Sequence, residues 1–393
     1  MPDYPNKSYG RSNEVAAIYK LLEGGHDISM PGPRRLGKTF VLDRMIDAAP
    51  ARQWIAVKVE VAGCTDTRGF FRQLCSGIGA KRSGGRRAIA WFRQRLGQAI
   101  DPRLETSGTW YQALISLDHE SYFERLIKIM HEDSERRWVL LIDELPIFLK
   151  ALHDKAGDGA IAARDFMNMT SRLRNDYPLV RWVITGSIGL EPLARVGNYM
   201  GVLAKFKNFD LQPLSESQAL EFVKDLASAG LLMSRNKITE IEAQALVDAV
   251  GWRSAYYLEA LAQKLAGEPT EDAANASALV EEAVARLLQP IGSAAFGVWE
   301  EHLRKHYQDP ERSIAFAVLL ALAPSAQGSG VDTLLAAVAQ PDLTRPKLLS
   351  VLTRLDVDGF VSITDAEGEN PITAIRNPLL RRWWSRHKPQ ATA

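Results

Sequence analysis

From His26 to Phe209, short and largely apolar runs alternate with longer stretches whose apolar residues recur every three or four positions. The runs His26–Met30, Trp54–Val61, Trp138–Ile142, Val180–Thr185 and Ala204–Phe209 read as strands. Val139-Leu140-Leu141-Ile142 is continuous rather than alternating, as expected of a strand covered on both faces of a parallel sheet. Helical stripes lie between them: Val15, Ile18, Leu21 and Leu22 behind Gly10-Arg11-Ser12, then Phe40–Ala49, then a segment carrying Phe70, Phe71 and Leu74, then Ser121–His131. Ser12 is the expected N-cap of the first helix, with Glu14 in its first turn. Strands alternating with helices predict a doubly wound α/β domain over residues 1–212, with ligand chemistry at the carboxyl ends of its strands.

Past Pro213 the strand signal stops. Residues 213–290 are helical in pattern and rich in alanine, with stops at Gly230, Gly251 and Gly267. Pro290-Ile291-Gly292 marks a boundary, and residues 291–393 form a third region. From Ser313 two helices lead to a third, opened by Thr344-Arg345-Pro346 and striped by Leu348, Leu349, Leu352 and Leu355. Asp358-Gly359 then turns into Phe360–Ile363, a polar loop Asp365–Asn370, and Ile372–Ile375. Three helices and a two-stranded hairpin describe a winged helix.

Composition narrows the class without naming it. The 393 residues are 46% hydrophobic and 24% charged, with a net charge of +1, so no global charge imbalance points to nucleic acid or a membrane surface. Met1–Arg11 is polar and does not read as a secretory signal, and the longest apolar run, Ile314–Ala323, is half a bilayer span. Cys64 and Cys75 are the only cysteines and read as reduced thiols. A cytoplasmic protein with no membrane partner is the expectation.

The candidate chemistry sits at the strand ends. Gly32-Pro33-Arg34-Arg35-Leu36-Gly37-Lys38-Thr39 fits G-x-x-x-x-G-K-[ST], and it lies between a strand and a helix, the context a phosphate-binding loop needs. Its backbone N–H groups and the helix N-terminus that begins near Phe40 suit an anion. Lys38 can reach the β- and γ-phosphates and the Thr39 hydroxyl can ligate Mg²⁺. Asp143 follows a buried apolar run and can hold the magnesium through water. Glu144 can accept a proton from water aligned on the γ-phosphate, which favours a hydrolase over a nucleotide kinase. Thr185-Gly186-Ser187 closes the next strand, and Thr185 and Ser187 are candidate sensors of the γ-phosphate. Asn236-Lys237-Ile238-Thr239 ends in Thr where a guanine-reading motif needs Asp, so ATP is expected rather than GTP.

Taken together, Gly10-Arg11 with Glu14, the Gly-Pro-Arg-Arg-x-Gly-Lys-Thr loop, Leu141-Ile142-Asp143-Glu144-Leu145-Pro146 and Thr185-Gly186-Ser187 resemble the archaeal-type ATPases, of the STAND branch of AAA-like P-loop proteins. Phe209-Asp210-Leu211-x-Pro213-Leu214-Ser215 resembles that family's bridge from core to helical lid. Asp358-Gly359-Phe360 and Asn377-Pro378-Leu379-Leu380-Arg381-x-Trp383-Trp384 resemble its winged-helix ending. The resemblance implies a P-loop NTPase core with a sheet of order 5-1-4-3-2, an α-helical lid and a C-terminal winged helix. It also implies ATP and magnesium between core and lid, the Gly10-Arg11 turn near the adenine, and catalysis by an extra acidic residue. Where related chains carry a Gly-Gly-x-Pro-like turn, this one has Gly251-Trp252-Arg253-Ser254-Ala255; Arg253 is a candidate phosphate contact from the lid. Arg172 and Arg174 are candidates for an arginine finger offered to a neighbouring subunit.

Two main readings of function follow, beside a third in which the chain is a binding module that holds ATP but barely hydrolyses it. The first is an ATP-hydrolysing molecular switch, with Glu144 and Lys38 catalytic, coupled through lid and winged helix to a protein partner or to another copy of itself. The second is a DNA-associated ATPase of the loader or transposition-accessory kind. Thr67–Ile100 contains no acid and carries Arg68, Arg72, Lys81, Arg82, Arg86, Arg87, Arg93 and Arg95, a local charge of +8. A phosphate backbone would suit that stretch, with Trp91 available to stack on bases. Against it, residues 313–393 carry eight Lys/Arg and seven Asp/Glu, less basic than a duplex-binding domain usually is. Trp383 and Trp384 read as packing anchors.

Overall fold

A computed structural model describes residues 11–79, 119–133, 135–155, 157–232, 235–290, 294–338, 340, 342–364 and 371–391. Five parallel strands form the first sheet: β1 Asp27–Pro31, β2 Trp54–Glu60, β3 Arg137–Asp143, β4 Val180–Gly186 and β5 Phe206–Asn208. Their order is β2-β3-β4-β1-β5, which is 5-1-4-3-2 read from the other edge, as expected. The register places Met30 beside Thr185, Ile142 beside Ile184 and Glu60 beside Asp143, so the carboxyl ends of β1, β3 and β4 end at one level. The continuous apolar run of β3 has its explanation here. Trp138, Leu140 and Ile142 join a core with Phe70, Phe123, Phe148 and Phe166, while Val139 and Leu141, equally buried, alternate to the opposite face. Phe70 is the hub of that core, with ring centroids 4.9 Å from Phe166, 5.4 Å from Phe148 and 5.9 Å from Phe123.

The chain divides into two compact units. One ends at Gly32, resumes at Lys38 and closes at Leu211; the other takes Pro33–Gly37 and Gln212–Ala393. In the second unit, helices Glu216–Ser228 and Glu240–Val250 each open on a full capping box, Ser215 with Gln218 and Thr239 with Glu242. Thr239, the last residue of the rejected guanine-reading motif, is therefore a helix cap. Glu242 is wholly buried; Arg235 pairs with it at 2.8 Å, and it accepts from the Thr239 and Thr270 amides. Two further helices, Ala255–Ala262 and Ala273–Leu287, complete the helical stretch.

The C-terminal part has helices Glu311–Leu322, Val331–Val338 and Arg345–Val357, then strands β7 Val361–Thr364 and β8 Ile372–Ile375. The sequence predicted a two-stranded hairpin. A third, two-residue strand β6, Ser329–Gly330, pairs antiparallel with β8, giving the order β6-β8-β7 of a winged-helix sheet. Nothing in its two residues signals a strand; only Gly328 hints at it, at φ +78°, where a Cβ would lie 2.3 Å from the Thr373 carbonyl oxygen. Trp383 and Trp384 are buried, against Phe296 and Phe316 respectively, which is packing rather than base stacking. Other departures are small. Ser12 is the first helical residue and Arg11 the N-cap, and the helix after the phosphate loop starts at Lys38. Among the described residues, no helix is long and apolar enough to cross a membrane.

Candidate functional site

The loop between β1 and the helix Lys38–Ala48 holds Gly32, Arg35 and Gly37 at φ +149°, +67° and +97°. Glycine adopts such backbone without a Cβ clash, whereas Arg35 is strained there. Lys38 is only 5% exposed, and its Nζ donates to the Gly32 carbonyl at 2.5 Å, so the ammonium is folded back across the mouth of its own loop. Within the second unit, the Arg35 guanidinium lies 4.0 Å over the Tyr256 ring and the Ser254 hydroxyl donates to the Arg35 carbonyl.

At the end of β3, Asp143 accepts from two hydroxyls: Thr39 Oγ1 to Oδ2 at 2.8 Å, and Thr185 Oγ1 to Oδ1 at 2.5 Å. The phosphate-loop helix, β3 and β4 thus meet on one carboxylate, itself 3% exposed. Thr185 Oγ1 in turn accepts from the Glu144 amide at 3.2 Å, so its proton goes to Asp143 and its lone pair to the next residue. Glu144 sits at φ +62° and ψ +39° ahead of helix Leu145–His153. Its Oε2 accepts from the Ser187 amide at 2.9 Å and from the Ser187 hydroxyl at 2.8 Å. The two turns fit this closely because residue 186 is glycine: a Cβ there would lie 2.3 Å from Pro146 Cγ.

Magnesium suits these residues by the chemistry of the donor set. Asp143 and Thr39 are oxygen donors only, and Thr39, having given its proton to Asp143, keeps lone pairs for a metal. No cluster of three or more His, Cys, Asp or Glu able to hold an ion exists among the described residues. Mg²⁺ commonly takes one or two protein oxygens and fills the rest with water and phosphate, and Asp143 and Thr39 supply that number.

The other sequence candidates fall in different places. Gly10 lies outside the described residues; Arg11 is buried and pairs with Glu14 at 2.8 Å. Arg34 and Phe40 are half-buried, and Pro33 and Leu36 buried. Arg253 Nε donates to the Leu214 carbonyl at 2.9 Å, fastening the start of the helical stretch. Of the two candidate fingers, Arg174 is excluded by its surroundings. Its side chain is 6% exposed, pairs with Asp27 at 2.5 Å and lies 3.7 Å over the Phe206 ring. Arg172 is half-exposed and pairs with Glu124 at 3.0 Å.

Asp27 was not singled out in the sequence, although an acid opening a buried strand is a usable signal. It accepts from Arg174 and from the Trp182 amide, tying β1, β4 and helix Gly159–Asp176 together. Replacing Arg174 with Met is expected to cost about 3–5 kcal/mol of stability, because the buried Asp27 charge loses its partner. The urea midpoint of unfolding measures it, and an unchanged midpoint would refute the assignment. Burial and then the neighbouring Asp66 push the Cys64 thiol pKa up, so this cysteine is a packing residue rather than a reactive one. Of the basic segment, Lys81 to Arg95 and Trp91 lie outside the described residues.

No family model matches the sequence, and no curated relative does. Solved structures match in shape. The Walker-type ATPase Paby2304 of Pyrococcus abyssi is 16% identical with a TM-score of 0.64, covering 95% of each chain. The Aeropyrum pernix ORC2 protein, solved as ADPNP–ADP complexes, is 12% identical with a TM-score of 0.56, covering 96% of this chain and 91% of that one. Identities this low speak for the fold alone, and in fold the chain is a P-loop NTPase core followed by a winged helix, alike in shape to the Pyrococcus abyssi Walker-type ATPase.

Proposed function

We propose that the chain binds Mg-ATP and hydrolyses it slowly, as a molecular switch whose nucleotide state is read by a protein partner, or another copy of the chain, through its helical and winged-helix parts. The observation that carries this reading is the convergence of Thr39, Asp143 and Thr185 on one carboxylate with Glu144 beside it. The phosphate loop would take the triphosphate on its amides and on Lys38. Thr39 and Asp143 would hold Mg²⁺, which when bound neutralises charge on the phosphates. Glu144 would take a proton from the attacking water, with Thr185 keeping the acid pair in register. The resemblance to the STAND branch of AAA-like proteins supports a slow switch over a high-turnover enzyme.

The DNA-associated reading is the second, resting on the charge of residues 68–95. The winged helix lends it little. On helix Arg345–Val357, Arg345 pairs with Asp332, Lys347 donates to the Asp342 carbonyl and Arg354 pairs with Glu311. Arg376 pairs with Asp356 and Arg382 with Glu281. Four of these five cations have a carboxylate partner, which reduces the positive potential they offer a phosphate backbone.

Turnover of Mg-ATP by the whole chain, with and without duplex DNA at low and moderate salt, tests both readings. Slow hydrolysis abolished by a magnesium chelator and indifferent to DNA is the expected result. Stimulation by DNA that fades with salt would transfer the assignment to the second reading, and no turnover under any condition would refute both.

A further inference from the structure

Resting on the ATPase reading, we infer that Ser187 is the positioning residue of the general base: it fixes which carboxylate oxygen of Glu144 faces water. Ser187 is 2% exposed and spends both its amide and its hydroxyl on a single atom, Glu144 Oε2. An oxygen holding two donors has few lone pairs left to accept a proton. Among the described residues, none donates to Oε1. The clamp therefore leaves Oε1 as the oxygen that acts.

Such a clamp is needed because of where Glu144 sits. It occupies the N-cap position of helix Leu145–His153 with left-handed backbone and no cap hydrogen bond from its own side chain. Its own helix gives that side chain no anchor: the second helical residue is Pro146, which has no N–H, and the Ile147 amide already donates to the Glu144 carbonyl at 3.1 Å. Without Ser187, the Glu144 side chain would keep the ordinary freedom of its rotamers. Two donors from the turn after β4 hold it in one place. The turn that presents them is itself fixed: Thr185 Oγ1 is locked between Asp143 and the Glu144 amide, and Gly186 lies flush against Pro146. Ser187 touches neither Thr39 nor Lys38 in any described contact, so its effect is expected on the chemical step and not on nucleotide binding.

The test is steady-state ATP hydrolysis together with ATP binding for Ser187→Ala, Ser187→Thr and Ser187→Ala combined with Glu144→Gln. Ser187→Ala retains the amide donor and loses the hydroxyl. A fall of about tenfold in kcat is expected, a fraction of the 10²–10⁴ that a positioned base supplies, with KM and ATP affinity within about twofold of wild type. Ser187→Thr, which keeps the hydroxyl, is expected to restore most of the rate. In the Glu144→Gln background, Ser187→Ala is expected to change nothing further, because the base it positions is gone. A kcat within twofold of wild type for Ser187→Ala would overturn the inference. So would a weakened ATP affinity that accounts for the whole loss, a failure of Thr to rescue, or a full second loss on top of Glu144→Gln. A wild-type chain that does not turn over ATP would overturn the ATPase reading with it, whereas turnover indifferent to Ser187 would overturn this inference alone.

Discussion

Glu144→Gln is expected to lower the rate of ATP hydrolysis by about 10²–10⁴-fold while leaving ATP affinity within about twofold of wild type. The size follows from the role, since a carboxylate that accepts a proton in the transition state has no substitute in an amide. The structure adds a reason why the substitution should be clean. Ser187 offers two donors to the Oε2 position, so a glutamine there turns its carbonyl oxygen toward Ser187 and keeps both hydrogen bonds. Its NH₂ group then stands where Oε1 stood, and a donor replaces the acceptor that water requires. The backbone at φ +62° and the hydrogen bond from the residue 144 amide to Thr185 Oγ1 do not involve the side chain and are expected to persist. Single-turnover hydrolysis beside an equilibrium ATP titration makes the measurement. Loss of rate with binding intact supports Glu144 as base, whereas a rate within threefold of wild type would remove it from the mechanism and leave a protein that holds ATP without consuming it through this residue.

Much of this was legible in the chain because the strongest signals are local. A phosphate loop needs glycines at fixed spacing for its backbone angles, and Gly32 and Gly37 show them at φ +149° and +97°. A strand covered on both faces must be apolar throughout, and Val139–Ile142 is. What stayed hidden depends on pairs distant in sequence. Thr185 could be read as facing phosphate or as closing a turn; that its hydroxyl donates to Asp143, 42 positions away, is not legible from either. Arg174 is a candidate finger by sequence alone, but its partner is Asp27, 147 positions off. The two-residue strand β6 has no periodicity to display, since pairing with β8 and not composition makes it a strand. Ser187 was visible as a hydroxyl at a strand end, but nothing in Thr-Gly-Ser says that both its donors converge on one oxygen of Glu144.

Lys38→Ala should fail at the step before chemistry. In the structure Lys38 is 5% exposed and its ammonium is held against the Gly32 carbonyl at 2.5 Å, at the loop that would wrap the phosphates. A charge-assisted hydrogen bond contributes about 1.5–3 kcal/mol, so losing the ammonium from the β- and γ-phosphates is expected to weaken ATP binding by about 100-fold. Ligand-linked stability converts this into a result that needs no turnover assay. At an ATP concentration of about 100 times its wild-type Kd, binding stabilises the folded chain by about 2.7 kcal/mol. With affinity reduced 100-fold, the same concentration stabilises Lys38→Ala by only about 0.4 kcal/mol, and the ATP-induced rise in Tm nearly vanishes. Glu144→Gln keeps the full rise, so the two variants separate binding from chemistry on one thermal scale. The charge of Lys38 carries the prediction, and Lys38→Met, which keeps most of the stem, should lose the Tm rise as Ala does. A variant at position 38 that retains it would place the triphosphate somewhere other than this loop.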